Sequence, residues 1–334
     1  MPEHAVAYSE RLGELTVHER RLETELAASV ARVPLWTTAD IEAQACADAL
    51  IVGAVEPLDR AALSTLTRCK VISRRGVGLN NIDVMAATDL GIPVAFVPAA
   101  SVHEVSDHAL ALILALERRI GVLDRIVQAG RWTKDSNDVA AARTDLRRIS
   151  DLTLGVVGYG RIGRELARKA APSFRTVLVQ DPMVETGRID DKTSVVDLDT
   201  LLREADVISL HAPLVAETTH LLDARAFNLV KPGLTLVNTS RGGLVDTQAL
   251  VAALRDGTVA RAGLDVTEEE PIAADSPLLG LENVLLTGHS AASSTGSAAE
   301  LRRTTVDAVI DALSGREPEF LANPEVLHRP NCRL

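Results

Sequence analysis

A glycine-rich turn between a predicted strand and a predicted helix constrains the fold of this chain more than any other feature. The sequence Gly158-Tyr159-Gly160-Arg161-Ile162-Gly163 follows an apolar run at residues 154–157 and opens a helical pattern at 161–170. Glycines at this spacing permit a tight turn, a close backbone approach to a pyrophosphate and close packing of helix on strand. The first amides of the helix then face the anion. The turn therefore predicts a dinucleotide site within a parallel βα unit.

An acidic residue after the next predicted strand indicates which dinucleotide would bind. Asp181 and Pro182 follow the apolar run at residues 177–179. A carboxylate in this place accepts hydrogen bonds from the ribose hydroxyls of NAD, and it would repel the 2′-phosphate of NADP. The sequence therefore favours NAD and disfavours NADP. The alternative is that Asp181 only forms a turn before Pro182.

Strand-like and helical patterns alternate along the whole chain, which predicts an α/β fold with parallel sheets. A length of 334 residues favours two domains. In the first third we predict strands at residues 4–8, 33–36, 49–52, 70–73 and 93–97, and helices at 19–30 and 38–47, with Thr38 and Asp40 as caps of the second helix.

The rest of the chain predicts a second βα series with helices on either side of it. A long helix begins near Ser101, and a polar, irregular connection covers residues 132–150. The second series starts at Thr153, and a final helix covers residues 297–313. The tail that follows would return to the first domain, so we expect the chain to cross between domains twice.

Composition excludes several classes of protein. A net charge of −11 and an aromatic content of 2% argue against nucleic-acid binding, which needs cations and stacking surfaces. The three cysteines, Cys46, Cys69 and Cys332, are too scattered for a disulfide framework or a metal cluster. The first residues lack the apolar core of a signal peptide, and the longest apolar run, 109–116, is too short to cross a bilayer. We therefore expect a soluble, cytoplasmic protein without metal or membrane contact.

Three residues of the second half suggest a reaction at the predicted cofactor. Arg241 follows the apolar run of LTLVNTS, and its planar fork suits a carboxylate and an adjacent carbonyl. Histidine suits proton transfer because its ordinary pKa of ~6.5 lies near neutral pH, and His289 follows a strand-like run, with Glu270 as a possible acidic partner. Each has a structural alternative: a salt bridge for Arg241, a solvated acidic run for Glu270 and a packing role for His289.

The chain resembles the D-isomer-specific 2-hydroxyacid dehydrogenases over nearly its whole length after about residue 50. The resemblance rests on GYGRIG, DP, HAPL, NTSRGGLVD, GLDVTEEEP and GHSA, with RRGVGLNNID and VPAASVHEVSDHALALILAL upstream. NTSRGGLVD and GLDVTEEEP are highly specific together. The resemblance implies that Arg241 is catalytic, that His289 is the acid and base, and that Glu270 is its acidic partner in the interconversion of a 2-oxo acid and a D-2-hydroxy acid.

The resemblance also implies binding residues. The implied cofactor contacts are Gly158, Gly160, Arg161, Ile162, Gly163, Asp181, Pro182, His211, Ala212, Pro213, Thr218, Asn238, Thr239, Ser240, Asp265, Ser290 and Ala291. The segment Arg75, Gly76, Val77 and Gly78 resembles the family loop whose backbone amides bind the substrate carboxylate.

The implied architecture has two Rossmann-like, doubly wound domains joined by two hinge helices. The substrate domain would be discontinuous and flavodoxin-like, formed by residues 1–102 and 296–334, and the NAD-binding domain would cover 103–295. Members are usually homodimers, with the region near residues 101–130 in the interface. They usually have a proline where Gly288 stands, and Arg74 adds a cation that we expect to be a solvent-facing strand residue.

Two alternatives stay open at this stage. The segment PAASVHEVSDHAL is similar to that of the C-terminal-binding corepressors, which keep the triad and sense NAD(H), although those proteins commonly carry a tryptophan where Ala292 stands. A dehydrogenase of a phosphorus-containing small acid is the other alternative, suggested by Arg74 and Arg75. The related formate enzymes usually have glutamine at the place of Glu270, which disfavours them.

Overall fold

The computed structural model of the protein describes residues 2–334, which form two compact units. The first unit comprises the chain up to Ala100 together with Ser294–Leu334, and the second comprises Ser101–Ser293. The chain therefore leaves the first unit once and returns to it once. No helix within residues 2–334 is both long enough and apolar enough to cross a membrane.

Both units contain strands and helices. The strands are β1 (His4–Ser9), β2 (Ala28–Val33), β3 (Ala49–Val52), β4 (Val71–Arg74), β5 (Val94–Ala95), β6 (Thr153–Val157), β7 (Thr176–Gln180), β8 (Gly187–Arg188), β9 (Thr193–Val195), β10 (Val207–Leu210), β11 (Leu234–Asn238), β12 (Val259–Leu264) and β13 (Val284–Leu286). The α-helices are α1 (Arg20–Leu26), α2 (Thr38–Glu42), α3 (Arg60–Thr65), α4 (Val84–Asp89), α5 (Val102–Glu117), α6 (Ile120–Gln128), α7 (Asp138–Arg143), α8 (Arg161–Ala170), α9 (Leu198–Glu204), α10 (Ala224–Phe227), α11 (Thr247–Asp256) and α12 (Thr295–Leu313).

The first unit contains a five-stranded parallel sheet in the order β2-β1-β3-β4-β5. Every residue of β3 is buried, as expected for a parallel strand covered on both faces. One face packs against α12, where Ser73 Oγ donates to Thr305 O at 3.0 Å. The opposite face carries Leu50 and Ile72 into a second apolar cluster. Buried positions on both faces explain why these strands are short continuous apolar runs.

Two predicted elements near the start of the first unit are wrong. Helix α1 ends at Leu26 and is followed by Ala27 with φ +49°. Strand β2 occupies part of the predicted helix 19–30 and replaces the predicted strand 33–36. The reason is tertiary: β2 pairs in parallel with β1, with Val30 opposite Val6. The cap of α2 is Thr37, rather than Thr38, and it forms a capping box with Asp40.

The second unit contains an eight-stranded sheet in the order β13-β12-β11-β10-β6-β7-β9-β8. Neighbouring strands are parallel except at the edge, where β8 runs antiparallel to β9. The strand order reverses between β6 and β10, which is the place where ligands bind in doubly wound sheets. There the amide of His211 donates to Val157 O at 2.7 Å. The two parallel sheets confirm the predicted α/β class.

The region predicted as an irregular connection contains more regular structure than expected. Helix α7 lies within residues 132–150, and a short 3-10 helix follows at Ile149–Asp151. Ala142 is the buried residue of α7. A six-residue helix with one buried position carries too little apolar periodicity to be recognised in the sequence.

Candidate active site

The turn after β6 has the geometry that the sequence predicts for a pyrophosphate. Gly158 adopts φ +89°, and a Cβ at this position would lie 2.6 Å from Ala212 N. A Cβ on Gly163 would lie 2.0 Å from Gly158 O, so α8 packs directly on the turn. By contrast, no atom lies within 4 Å of the Cβ position of Gly160. The turn is closed on the protein side and open in front of the first amides of α8, which include Arg161 and Ile162.

Asp181 lies directly after β7 and supports the same turn. Its Oδ2 accepts a hydrogen bond from Tyr159 N at 2.7 Å, and its Oδ1 accepts one from Met183 N at 2.9 Å. The turn-forming role and the ligand role are therefore compatible, because each carboxylate oxygen can accept a second hydrogen bond. Pro182 beside it is exposed. This arrangement fits a pair of ribose hydroxyls.

The loop after β10 closes the other side of the switch point. Burial lowers the pKa of His211 to about 4, so its imidazole is neutral near pH 7. Its Nε2 lies 2.9 Å from Ser209 Oγ. Thr218 Oγ1 donates to Pro213 O at 2.7 Å and fixes the loop that begins at Ala212. These bonds hold the loop rigid without placing a positive charge there.

The loop after β11 holds the predicted catalytic arginine. Ser240 Oγ donates to Ala212 O at 2.6 Å, and Asn238 Nδ2 donates to Arg241 O at 2.9 Å. Thr239 is buried between these residues. Within residues 2–334 Arg241 forms no ion pair, and its Nη1 donates to Ser240 O at 2.7 Å. An arginine at the carboxyl end of a parallel strand without an acidic partner suits an anionic ligand.

The loop that carries Arg241 lies against the segment of residues 267–270, which contains Glu270. A Cβ at Gly242 would lie 1.9 Å from the carbonyl carbon of Thr267, so only glycine permits this approach. The amide of Thr267 donates to Glu270 Oε1 at 3.1 Å. The structure thereby brings Arg241 and Glu270, predicted from separate motifs, to one side of the second unit.

Glu270 pairs with the predicted catalytic histidine. His289 Nδ1 lies 2.6 Å from Glu270 Oε2, and both side chains are partly exposed. A histidine whose Nδ1–H donates to a carboxylate presents Nε2 to its other neighbours. The triplet of glutamates is therefore not a uniformly solvated run, because Glu270 is committed to His289 and Glu268 to His220.

The backbone around His289 adopts an unusual conformation. Gly288 and His289 have φ +62° and +56°, two consecutive residues in the left-handed region. The amide of His289 donates to Asp265 O at 2.6 Å. Such a conformation persists when surrounding bonds determine it.

Asp265 supplies most of those bonds. Its Oδ1 accepts from Ser290 N at 2.9 Å and from Thr287 Oγ1 at 2.6 Å, and its Oδ2 accepts from Ala291 N at 3.0 Å. Burial opposes ionisation, but these hydrogen bonds lower the pKa of Asp265 below its ordinary value. Asp265 is therefore an ionised, buried acceptor, and Oδ2 keeps a free acceptor position for a carboxamide N–H.

An apolar cavity of about 410 Å³ adjoins the histidine within the second unit. Glu270 and His289 line one part of it. The remaining lining residues are Leu264, Thr267, Pro271, Ile272, Leu286 and Gly288.

The predicted substrate loop lies in the first unit, directly after β4. The amides of Arg75 and Gly76 are already occupied, by Val52 O and Arg74 O, both at 2.9 Å. In the described part of the chain the amides of Val77 and Gly78 donate to no protein acceptor. The loop therefore offers two free amides rather than four.

Two arginines of this loop lie differently from what the sequence suggested. Arg75 donates to Tyr8 OH and to Leu12 O, both at 3.0 Å, so its guanidinium is held inside the first unit. Arg74 is not a solvent-facing strand residue, since only 9% of its surface is exposed. Its guanidinium lies under Gly76, where a Cβ would clash with Nη1.

His108 and Thr287 contact one another beside Asp265, although no sequence pattern assigns either of them a role. His108 belongs to the upstream motif and Thr287 precedes Gly288-His289, but no spacing rule joins two residues so far apart in the chain.

Comparisons with known proteins agree with this geometry. Residues 110–291 match the model of the D-isomer specific 2-hydroxyacid dehydrogenase, NAD binding domain. A D-3-phosphoglycerate dehydrogenase of Archaeoglobus fulgidus is 40% identical over 247 residues, which are 74% of this chain and 46% of that protein. The chain thus spans about half the length of the phosphoglycerate dehydrogenases that it matches.

Other relatives match in length. A glyoxylate reductase of Korarchaeum cryptofilum is 37% identical over 281 residues, which are 84% of both proteins. The D-lactate dehydrogenase of Aquifex aeolicus, solved with NAD and lactic acid, superposes with a TM-score of 0.78 at 31% identity, covering 93% of this chain and 96% of that one. The chain belongs to the D-isomer specific 2-hydroxyacid dehydrogenases, a family of NAD-dependent oxidoreductases.

Proposed function

We propose that the protein interconverts a small 2-oxo acid and the corresponding D-2-hydroxy acid with NAD(H). The observation that carries the proposal is the 2.6 Å contact between His289 Nδ1 and Glu270 Oε2, beside an arginine loop without an acidic partner. The relatives named above, a glyoxylate reductase and a D-lactate dehydrogenase, support the substrate class.

The turn and loops at the switch point would hold the cofactor. The amides at Gly160, Arg161 and Ile162 suit the pyrophosphate, and Asp181 suits the ribose hydroxyls. The loops at His211–Pro213 and Asn238–Ser240, together with Asp265, Ser290 and Ala291, would enclose the nicotinamide end. When bound, NAD(H) supplies or accepts the hydride. The carboxylate of Asp181 favours NAD over NADP because it would repel a 2′-phosphate.

Three side chains would act on the substrate. The Arg241 guanidinium binds the carboxylate and polarises the adjacent carbonyl. His289 Nε2 donates a proton to the carbonyl oxygen during reduction and accepts it back during oxidation. Glu270 accepts the hydrogen bond of Nδ1–H and keeps the imidazole oriented. The amides of Val77 and Gly78 are proposed as further donors to the substrate carboxylate.

Initial rates of NADH oxidation over a panel of 2-oxo acids test this function. The panel contains glyoxylate, pyruvate, hydroxypyruvate, phosphohydroxypyruvate, oxaloacetate, phenylpyruvate, branched 2-oxo acids and a phosphonate-bearing one, each with NADH and with NADPH. We expect at least one rapid substrate, a product of D configuration, and a preference for NADH.

Arg241→Lys provides the matched variant. Loss of the bidentate fork should raise KM and lower kcat/KM by about 10²-fold, whereas Arg255→Lys on the exposed side of α11 should change neither. Negligible rates with every acid would refute the dehydrogenase function and favour an NAD(H)-sensing role. Reduction of NAD with phosphite in a separate assay, without reduction of any 2-oxo acid, would favour a dehydrogenase of phosphorus-containing acids.

We also propose that the enzyme is a homodimer. Ile120 and Val127 on α6, and Trp132 after it, are exposed apolar side chains within one stretch of the second unit. Light scattering after size exclusion should give twice the chain mass of 35.6 kDa, and a Trp132→Glu variant that stayed dimeric would place the interface elsewhere.

A further inference from the structure

A single hydrogen-bond chain connects α5 to the loop that carries the catalytic histidine. His108 Nε2 lies 2.9 Å from Thr287 Oγ1, and Thr287 Oγ1 lies 2.6 Å from Asp265 Oδ1. All three residues belong to the second unit. This hydrogen-bond chain ends at the carboxylate of Asp265, which organises residues 288–291.

The proton count fixes the direction of this chain. Asp265 is ionised, so it can only accept, and Thr287 must use its one hydroxyl proton to donate to Asp265. Thr287 Oγ1 is then left as an acceptor, and His108 must donate to it. His108 Nε2 therefore carries a proton.

Asp265 connects this hydrogen-bond chain to the backbone of His289 and of the two residues that follow it. Its carboxylate holds the amides of Ser290 and Ala291, and its carbonyl holds the amide of His289. Only 3% of Asp265 is exposed, so water cannot replace a lost partner freely. A carboxylate that loses the Thr287 hydroxyl would rotate toward its remaining donors and shift the loop.

We propose that His108 and Thr287 are positioning residues for the catalytic His289, acting through Asp265. The inference rests on the proposed function, because it concerns the geometry of that reaction. Neither residue needs to touch the substrate. A displacement of about 1 Å at a reacting group costs about 10²-fold in rate, so a small shift of this loop would be measurable.

The test compares Thr287→Val, which keeps the shape and removes the hydroxyl, with Thr287→Ser, which keeps the hydroxyl. His108→Phe removes the donor at the other end of the chain. His103→Phe is its matched control, because His103 lies on the same helix but contacts Glu165 instead of the loop. Active sites are counted by NADH binding, so that loss of folded protein does not enter kcat.

We expect Thr287→Val and His108→Phe to lower kcat per site by about 10- to 100-fold, with a change in KM of less than about threefold. The variant that combines Thr287→Val with His108→Phe should be no slower than Thr287→Val alone, because both changes break the same hydrogen-bond chain. Thr287→Ser should restore kcat to within about threefold of the wild type. The primary isotope effect with 4-deuterated NADH should rise in the valine variant, since misalignment slows hydride transfer itself.

A spectroscopic measurement that needs no catalytic turnover tests the same hydrogen-bond chain in the wild type. Long-range ¹H–¹⁵N spectra of the histidine side chains should show a protonated Nε2 for His108, with this proton protected from exchange. Thr287→Val should remove that protection. A His108 ring protonated only at Nδ1 would overturn the proposal.

The outcomes separate this inference from the proposed function. If the wild type reduces a 2-oxo acid and Thr287→Val keeps its kcat per site, the positioning role is wrong and the function stands. If Thr287→Ser is as slow as Thr287→Val, the hydroxyl is irrelevant and the inference fails. If the wild type reduces no acid of the panel, the proposed function fails and the positioning role falls with it.

Discussion

The second unit contains two histidine–glutamate pairs that are almost identical as contacts. His289 pairs with Glu270 and His220 pairs with Glu268, each at 2.6 Å. Both histidines adopt left-handed backbone conformations, with φ +56° and +53°. The side chains of the two histidines are 53% and 44% exposed. Contact distance, exposure and backbone strain therefore do not identify the catalytic pair.

The surroundings of the two pairs differ. Glu268 Oε2 also accepts from Thr247 N at 2.8 Å, so this pair secures the start of α11. The hydrogen bond from His220 to the Glu268 carboxylate raises the pKa of His220 above its ordinary value. Glu270 instead lies on the segment that touches the arginine loop, and His289 lies on the loop that Asp265 organises. The catalytic role proposed for His289 and Glu270 is therefore indicated by their neighbours, the arginine loop and Asp265, and not by the geometry of the pair itself.

The largest expected difference between the pairs comes from removing each imidazole. We choose His289→Asn and His220→Asn because asparagine tolerates the left-handed region better than alanine. Loss of the acid and base should lower kcat by about 10³-fold or more in His289→Asn, with NADH binding nearly unchanged. His220→Asn should change kcat by less than about threefold. Similar losses in both variants, measured by NADH oxidation, would show that the pairs are not functionally distinct.

A smaller effect is expected from neutralising the carboxylates. Glu270→Gln keeps an acceptor for His289 Nδ1 but removes the negative charge opposite the ring that transfers the proton, so kcat for reduction should fall by about 10- to 100-fold. Glu268→Gln should leave kcat within about threefold. Steady-state rates at saturating NADH test this, and an unaffected Glu270→Gln variant would assign Glu270 a structural role.

The smallest expected effect is a pH dependence of stability at the His220 pair. Because the folded pKa is raised, the pair stabilises the protein fully below the unfolded value of ~6.5 and loses this contribution as the pH rises through the folded value. The pair is exposed, so the contribution should be below about 1 kcal/mol. Urea unfolding from about pH 5.5 to pH 9 should show the free-energy difference between wild type and His220→Asn shrinking with pH. A constant difference would mean that the pair carries no charge-dependent stability.

Features encoded in contiguous residues could be predicted from the sequence. The glycine turn predicted the strand, the tight turn and the packing of α8, since each follows from a missing Cβ at a fixed spacing. The placement of Asp181 after a strand also followed from local pattern. Arg241, Glu270 and His289 came from motifs, and the contact between the last two is a geometric finding.

Features that depend on partners distant in the chain could not be predicted. Strand β2 takes its conformation from pairing with β1, which overrides the helical pattern of residues 27–30. Arg74 is buried because its guanidinium fills the space under Gly76. His108 and Thr287 meet across 179 positions, and a polar contact between elements leaves no periodicity in either of them.

The conformation of Gly288 restricts which sequences this loop can reach by mutation. Proline fixes φ near −65°, whereas Gly288 adopts φ +62°. Gly288→Pro is therefore not tolerated as a single substitution, because it would require His289 and its bonds to Asp265 to be rebuilt at the same time. The loop is held by a set of hydrogen bonds instead of a rigid ring, so changes at Asp265, Ser290 and Ala291 are constrained by those bonds.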